Sequence, residues 1–150
     1  RAPEMTPDDR TLTETGLVDL LRQLAEAAAG RSDLNVHVTA DREPELPRDV
    51  HIALYRIAQE ALNNVIKHAR ASEATISLRV KPCQAAGGDR ESVHLSIEDD
   101  GCGFDPGRTL PDHMGLAIIR ERAERVGAIL ILESQPNQGT QLIVSWRDER

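Results

Sequence analysis

The stretch HIALYRIAQEALNNVIKHAR, residues 51–70, decides how the rest of the chain is interpreted. Its apolar residues recur at the i, i+3, i+4, i+7 spacing that places them on one face of an α-helix. This spacing predicts a long helix whose apolar face packs on the core of the protein. The residues of that face are Leu54, Ile57, Ala58, Ala61, Leu62, Val65, Ile66 and Ala69.

A second stripe of the same helix carries three chemically different polar side chains. At about 100° per residue, Glu60, Asn64 and Lys67 line up along one flank, about a third of a turn from the apolar face. A solvated flank usually pairs Glu with Lys, whereas here asparagine, a poor helix former, stands between them. The flank is either an ordinary solvated surface or a binding site, and the helix alone leaves both open.

Length and composition limit the class of protein. The chain has 150 residues, which fits one domain with one core, and a single Phe, Tyr and Trp, so that core is expected to be aliphatic. A net charge of −7 argues against binding DNA or another polyanion through a basic face. Cys83 and Cys102 lack the spacing of a metal site or a disulfide framework, which favours a reducing cytosol. No apolar run approaches the roughly 18 residues of a membrane span, and no signal peptide is recognisable.

Hydrophobic periodicity predicts three helices and five strands. Period-two alternation marks the strands, and Gly and Pro mark the breaks between elements. The order is α-β-α-β-β-loop-α-β-β, which predicts an α/β (α+β) two-layer sandwich. The predicted elements are a helix at 15–29, a strand at 34–39, the helix described above with Pro47 in its first turn, strands at 75–80 and 93–99 joined by a loop, a long loop at 100–114, a helix at 115–126, and strands at 128–134 and 140–146.

Asp99 is the least expected residue of the predicted strands. It follows Val93, Leu95 and Ile97 at period two, so it should project to the buried side of the sheet. A buried carboxylate costs several kcal/mol unless groups that donate hydrogen bonds surround it, so a partner from the protein or a ligand is expected. The alternative is that Asp99 caps the turn made by Gly101.

Three further features point to a phosphate and a metal ion. Gly115 opens a helix directly after a glycine-containing loop, which is either an ordinary loop-to-helix junction or a helix N-terminus that can bind an anion such as phosphate. Lys67 offers a point charge to the same phosphates. Asn64 offers one carbonyl oxygen to Mg²⁺, which keeps waters and phosphate oxygens as its other ligands.

Taken together, four motifs resemble a known family. In order and spacing they resemble the N, G1, G2 and G3 boxes of Bergerat-fold ATPases. The four motifs are E-A-L-N-N-V-I-K-H-A (60–69), D-D-G-C-G-F (99–104), H-M-G-L-A-I-I-R-E-R-A (113–123) and G-T (139–140). The likeness is greatest to the catalytic ATP-binding domain of sensor histidine kinases of the nitrate-sensor-like subfamily, and it covers about residues 17–146. It implies the Bergerat fold, a mixed and mostly antiparallel sheet packed under about three helices.

The resemblance implies roles at both ends of an ATP molecule. At the phosphate end, Asn64 binds Mg²⁺, Lys67 contacts phosphate, and Glu60 orients a metal-bound water or assists proton transfer. The backbone of Gly115 meets the phosphates, and Leu116 follows it in the nucleotide site.

At the adenine end, Asp99 accepts a hydrogen bond from the adenine amino group, which would supply the partner that its burial requires. Gly101 and Gly103 lie beside the base, and Gly139 and Thr140 lie near the adenine pocket.

Several positions depart from the family pattern. Asp100 stands where Asn is commoner, Asp112 where a glycine is frequent, and Met114 where the subfamily usually has an aromatic residue. Asp112 would repel phosphate or restrict the lid over the nucleotide. His68 and His113 match positions that are structural or position the lid.

The implied function is that of a histidine protein kinase catalytic domain in a two-component phosphorelay. Residues 1–12 are expected to be a linker or the end of a preceding dimerisation helix, and residues 13–150 the ATP-binding domain. The phosphoacceptor histidine would lie on the absent dimerisation domain of a homodimer, so this segment alone should bind Mg·ATP but not autophosphorylate. The phosphate would pass to an aspartate of a response regulator, without direct nucleic-acid binding. A cytoplasmic domain is expected, and an inner-membrane anchor elsewhere in the full-length protein is left open.

Two other classes remain compatible with these motifs. One is another Bergerat-fold enzyme, such as an anti-sigma-factor serine kinase or an ATPase of the chaperone, topoisomerase or mismatch-repair type. The other is a non-catalytic regulatory module that retains the fold for protein contacts. Asp100 and Asp112 favour such a module, whereas intact Asn64, Lys67 and Asp99 argue against it.

Overall fold

The computed structural model describes four stretches of the chain, residues 9–82, 91–102, 114–135 and 137–148. Predictions that concern Gly103, Asp112 and His113 fall outside these stretches, as do the loop between the two central strands and most of the long loop at 100–114. Among the described residues, no helix is long and apolar enough to cross a membrane.

The helices agree with the predicted ones, with one addition. The structure has α1 (Asp9–Glu14), α2 (Leu17–Gly30), α3 (Arg48–Asn64) followed by a π-helical turn (Val65–Ala69), and α4 (Met114–Arg125). The short α1 was not predicted, because its six residues are too few to show a helical period.

The five strands form one mixed sheet, as predicted. They are β1 (Asn35–Ala40), β2 (Glu73–Pro82), β3 (Glu91–Asp99), β4 (Ile129–Ser134) and β5 (Thr140–Arg147). Their order across the sheet is β1-β2-β3-β5-β4, with β1 and β2 parallel and the other pairs antiparallel. The sheet therefore places the end of β3 directly beside the start of β5.

A single aliphatic core lies between the sheet and the helices. Alternate strand residues such as Ile76, Leu95 and Val144 are fully buried, whereas the residues between them face away from the helices and are more exposed. Tyr55 and Trp146 join this core. The period-two and 3.6-residue patterns of the sequence therefore identified the buried faces correctly.

The α1–α2 joint is held by two residues distant in sequence. The carboxylate of Glu43 accepts hydrogen bonds from the backbone N–H groups of Leu17 and Val18, both at 2.8 Å. It therefore caps α2, since these N–H groups have no partner within the helix. His51 is buried, and its Nε2 lies 3.0 Å from the carbonyl oxygen of Thr15. This cap could not be predicted from the sequence, because a cap supplied by a distant segment leaves no local signal.

The long helix of residues 51–70 does not continue as an α-helix to its end. The N–H of Val65 is shared between the carbonyl oxygens of Ala61 and Leu62, and the chain then widens into the π-helical turn. Arg70 ends the turn in the left-handed conformation, with φ of 53°. Pro47 lies just before α3, where its carbonyl accepts the N–H of His51 at 3.0 Å, so it precedes the first turn.

Candidate functional site

Asp99, the last residue of β3, faces the helices and is only 8% exposed. Its Oδ1 accepts the backbone N–H of Gly101 at 2.8 Å. Burial raises the pKa of the Asp99 carboxyl above its ordinary value. The N–H groups of Gly101 and Thr140 oppose this rise, and the negative charges of Asp100 and Glu98 add to it. Both interpretations of the sequence are therefore correct at once, since Asp99 is a buried carboxylate and also caps the Gly101 turn.

The turn between β4 and β5 packs against Asp99. Gly139 adopts a φ of 78°, and a methyl group added there would overlap the backbone carbonyl oxygen of Asp99. Thr140 pairs directly with Asp99 across the sheet. The hydroxyl of Ser134 lies 2.8 Å from the Thr140 hydroxyl and donates to the Gly139 carbonyl oxygen at 3.2 Å. Glycine is thus required at position 139 for the strands to meet at the carboxylate.

Ser134 also lines the cleft, although the sequence patterns did not predict it as a site residue. It ends the run AILILES, where Leu130 and Leu132 precede it at period two and point towards the helices. The same alternation that singled out Asp99 on β3 therefore singles out Ser134 on β4.

A cleft of about 430 Å³ opens at this end of the sheet. Asp99, Leu132, Ser134, Gly139 and Thr140 contribute to its wall. A cleft of this volume is within the usual range for small-molecule sites. Its wall is mostly polar and combines one apolar side chain and two hydroxyls with three carboxylates and three amides, those of Glu98, Asp99, Glu133, Gln135, Gln138 and Gln141. These groups can hold the edge of a flat, hydrogen-bonding ligand.

Asp100, the residue after Asp99, holds the start of β2. Its carboxylate accepts the backbone N–H of Ser72 at 2.8 Å, the Ser72 hydroxyl at 2.7 Å and the N–H of Glu73 at 3.0 Å. The Glu73 N–H, the Ser72 hydroxyl and the Ser72 N–H lower the pKa of Asp100. The segment that follows the π-helical turn is therefore tied to the residue next to Asp99.

The polar flank of α3 lies outside the described wall of the cleft. Glu60 and Asn64 are half-buried in the last turns of α3, and Lys67 is exposed on the π-helical turn. The wider turn rotates Lys67 away from the straight stripe predicted for an α-helix. The neighbouring Asn63 accepts a hydrogen bond from Arg31, so the two adjacent asparagines have different surroundings.

The other predicted site residues are less closely grouped. Gly101 is buried beside Asp99, Gly115 is the second residue of α4, and Leu116 is half-buried behind it. Within the described stretches, no group of three or more His, Cys, Asp and Glu residues is placed to hold a metal ion. The structure thus brings Asp99, Gly101 and Thr140 into one hydrogen-bonded group. The polar flank of α3 and the start of α4 do not belong to this group.

Comparison with known proteins identifies the family. Residues 49–150 match the profile of histidine kinase-, DNA gyrase B- and HSP90-like ATPases. The chain is 30% identical over 140 residues to the nitrate/nitrite sensor protein NarX of Escherichia coli (strain K12), which covers 93% of this chain and 22% of NarX. It is 32% identical over 139 residues to the nitrate/nitrite sensor protein NarQ of the same organism, covering 91% of this chain and 23% of NarQ. It therefore spans less than a quarter of the length of either relative.

Solved structures agree on the fold. The blue-light activated histidine kinase of Erythrobacter litoralis EL346 superposes with a TM-score of 0.68 at 22% identity, covering 91% of this chain and 43% of that one. The catalytic domain of histidine kinase ThkA gives a TM-score of 0.60 at 18% identity, over 87% of this chain and 92% of that domain. The chain belongs to the histidine kinase-, DNA gyrase B- and HSP90-like ATPase family and is a catalytic ATP-binding domain of the sensor histidine kinase type.

Proposed function

We propose that this domain holds Mg·ATP with its adenine in the cleft at Asp99 and its γ-phosphate exposed to a histidine of another domain. The observation that supports this most strongly is the buried carboxylate of Asp99, whose pKa burial raises. Its Gly101 partner engages only one of the two carboxylate oxygens in a hydrogen bond of 2.8 Å. The Thr140 backbone N–H also acts on this carboxylate. An amino group of a ligand would add a charge-assisted hydrogen bond, which is worth about 1.5 to 3 kcal/mol.

The neighbours of Asp99 suit a flat base. Gly139 cannot carry a side chain without striking the Asp99 backbone, and Gly101 is buried without one. Thr140 presents a hydroxyl beside the carboxylate, so the site offers an acceptor and a hydroxyl to neighbouring edge atoms of one ring.

The phosphate end would use the α3 flank and the start of α4. In this proposal Asn64 supplies one oxygen ligand to Mg²⁺, and the engagement of Asn63 by Arg31 leaves Asn64 as the better placed of the two amides. A site with a single amide oxygen suits Mg²⁺, because this ion usually keeps waters and phosphate oxygens. Bound Mg²⁺ would neutralise charge on the β- and γ-phosphates. Lys67 and the first N–H groups of α4 at Gly115 and Leu116 would hold those phosphates in place.

Phosphoryl transfer to histidine requires the protein mainly to position the reactants and to neutralise charge on the phosphates. A neutral imidazole nitrogen attacks the γ-phosphorus, the bond to the β–γ bridging oxygen breaks, and ADP leaves with that electron pair. Glu60 is placed in this proposal beside the metal-bound water or the attacking imidazole, where it orients one or accepts a proton. Holding the reactants in line supplies most of the acceleration.

We further propose that the full-length protein is a homodimeric sensor kinase of the nitrate-sensor-like subfamily. In that arrangement residues 1–12 lead from the dimerisation domain that carries the phosphoacceptor histidine, and residues 13–150 are the catalytic domain. The phosphohistidine then supplies an aspartate of a response regulator. The similarity to NarX and NarQ supports this placement.

Calorimetric titration with a non-hydrolysable ATP analogue tests the proposal. The parent should bind more tightly with Mg²⁺ than without it, and Asn64→Ala should lose most of that Mg²⁺ dependence. Asn63→Ala is the matched control, since it removes the same amide one residue away and should keep the dependence. Absence of nucleotide binding by the folded parent would refute the proposed function, and equal Mg²⁺ dependence in all three proteins would refute the role of Asn64.

A further inference from the structure

The sheet has a second face, which we call the outer face and which points away from the helices. It is formed by the residues that alternate with the buried ones along each strand, and these residues are exposed or half-buried. Ile129 and Ile131 lie there with 66% and 45% exposure, and Ile143 pairs with Ile131 on the neighbouring strand. The outer face therefore carries neighbouring isoleucines on β4 and β5, a feature of surfaces that contact another protein.

The charged residues of the outer face are separated by sign. Cations lie towards one end of the strands and carboxylates towards the other, and all of these side chains are exposed. Between them runs an uncharged middle row, in which Ser77, Ser96, Ile143 and Ile131 pair in turn across four strands. The outer face therefore has a positive end and a negative end. The cations are Arg79, Lys81 and Arg147, and the carboxylates are those of Glu73, Glu98 and Glu133.

Other charged groups at the rim of the outer face leave this separation in place. At the positive end Arg42 and Glu91 form an ion pair, so their charges cancel. The Asp41 carboxylate also lies at this end, where it accepts a backbone N–H of β2 at 3.1 Å, but the three cations outweigh it. At the negative end Nε2 of His37 lies 3.8 Å from Oε1 of Glu73 and opposes its charge only when the imidazole is protonated.

A face with this arrangement is complementary to a second copy of itself. A half-turn about an axis that lies between the two copies, along the middle row, sets each strand antiparallel to the same strand of the second copy. Lys81 and Glu73 are four residues to either side of Ser77 on β2, so Lys81 of each copy lies opposite Glu73 of the other. Ile131 and Ile143 lie on the axis and meet their own counterparts. Sheets packed face to face cross at about 30°, and the long lysine and glutamate side chains can span the resulting offset.

The size of the outer face fits a weak dimer. Five strands about 4.8 Å apart and a length of about 26 Å from Glu73 to Lys81 give roughly 600 Å² on each copy. The total of about 1,200 Å² is at the lower end of the range for specific protein interfaces. Association should therefore depend on concentration within the micromolar to millimolar range.

We propose that two copies of this chain associate through their outer faces, with Lys81 of each against Glu73 of the other and the isoleucines of β4 and β5 between them. The occupant of the outer face is a second copy because both its charges and its apolar patch are matched by the same surface after the half-turn. This inference does not rest on the proposed function, since it concerns the chain without nucleotide.

The test is sedimentation equilibrium of the nucleotide-free chain over a range of concentrations. The apparent mass of the parent should rise from 16.5 kDa towards twice that value, and it should rise less at high salt, because salt screens exposed charges. Lys81→Glu and Glu73→Lys should each raise the dissociation constant by about 10-fold or more, because two attractive contacts become repulsive. An equimolar mixture of these two variants should recover the affinity of the parent, since both contacts of the heterodimer then join opposite charges.

Arg22→Glu is the matched control. It reverses an exposed cation on α2, in the helical layer, and should leave the dissociation constant unchanged. Circular dichroism of each variant checks that it is folded. If a single variant does not fold, the double variant that exchanges the charges of positions 73 and 81 within one chain replaces it, and it should dimerise like the parent.

Each contrary outcome bears directly on the inference. A parent that stays monomeric at millimolar concentration would overturn it. A dimer that keeps its affinity in both single variants would overturn it as well, because the copies would then meet through another surface. Failure of the mixture, or of the double variant, to recover the affinity would show that Lys81 and Glu73 do not face each other. Nucleotide titration of the same samples tests the proposed function separately.

Discussion

Replacing Asp99 with asparagine keeps the size of the side chain and removes its charge. Oδ1 of Asp99 holds the Gly101 N–H at 2.8 Å, so the amide oxygen of the introduced side chain should stay with that donor. The amide NH₂ then occupies the position of the second carboxylate oxygen and meets the adenine amino group donor to donor. The lost charge-assisted bond is worth about 1.5 to 3 kcal/mol, so affinity for ATP should fall by roughly 10- to 100-fold.

The same substitution should have a separate effect on stability. The pKa of Asp99 is raised in the folded protein above its ordinary value of 3.8, so the folded state binds the proton more tightly than the unfolded state. Its contribution to stability is therefore fully present below pH 3.8 and is lost as the pH rises through the folded pKa. Over that window, Asp99→Asn should gain stability relative to the parent.

Two measurements on the same samples test both effects. Calorimetric titration with a non-hydrolysable ATP analogue measures affinity, and urea unfolding at a series of pH values measures the free energy of unfolding. ATP affinity unchanged in a folded Asp99→Asn protein would refute the placement of adenine. A difference in stability that shrinks with rising pH would refute the account of a carboxylate destabilised by burial.

Three further predictions concern the stability of the fold. Gly139→Ala should cost more than the roughly 1 to 3 kcal/mol of left-handed backbone strain, because its methyl group also strikes Asp99. Gly127→Ala is the control in urea unfolding, since Gly127 has a φ of 73° and its added methyl meets nothing within 4 Å. Asp100→Ala should lower Tm more at pH 7 than at pH 3. The lowered pKa of Asp100 contributes stability that is present above pH 3.8 and is lost as the pH falls through the pKa of the folded protein. Equal losses of Tm at the two pH values would contradict this. Glu43→Ala should cost about 1 kcal/mol in urea unfolding as the α2 cap is lost, with Glu45→Ala near zero as control.

Periodicity in the sequence was sufficient to predict most of the fold. The strands and α2, α3 and α4 were predicted because each buries one face, and burial repeats at the period of the element. Asp99 could be recognised for the same reason, as a carboxylate at a position where the period requires an apolar residue. What periodicity cannot show is an interaction between distant segments, so the Glu43 cap and the His51 contact were missed.

Backbone details were also beyond the sequence patterns. The π-helical turn adds a residue to one turn of the long helix, and nothing in its composition marks Val65 as the start. Asp100 looked like a departure from the family pattern, and only the structure shows that its carboxylate holds Ser72 and Glu73. The grouping of Ser134 with Thr140 depends on the pairing of β4 with β5, which is set by the turn between them.

Adenine binding at Asp99 is tested most directly by the distance from the adenine amino nitrogen to the Asp99 carboxylate. It can be measured in a crystal structure of the domain with Mg²⁺ and a non-hydrolysable ATP analogue. We predict a hydrogen bond of about 2.7 to 3.2 Å, with the other Asp99 oxygen still on Gly101. A nucleotide bound with its base elsewhere, and without contact to Asp99, would refute the proposed adenine site.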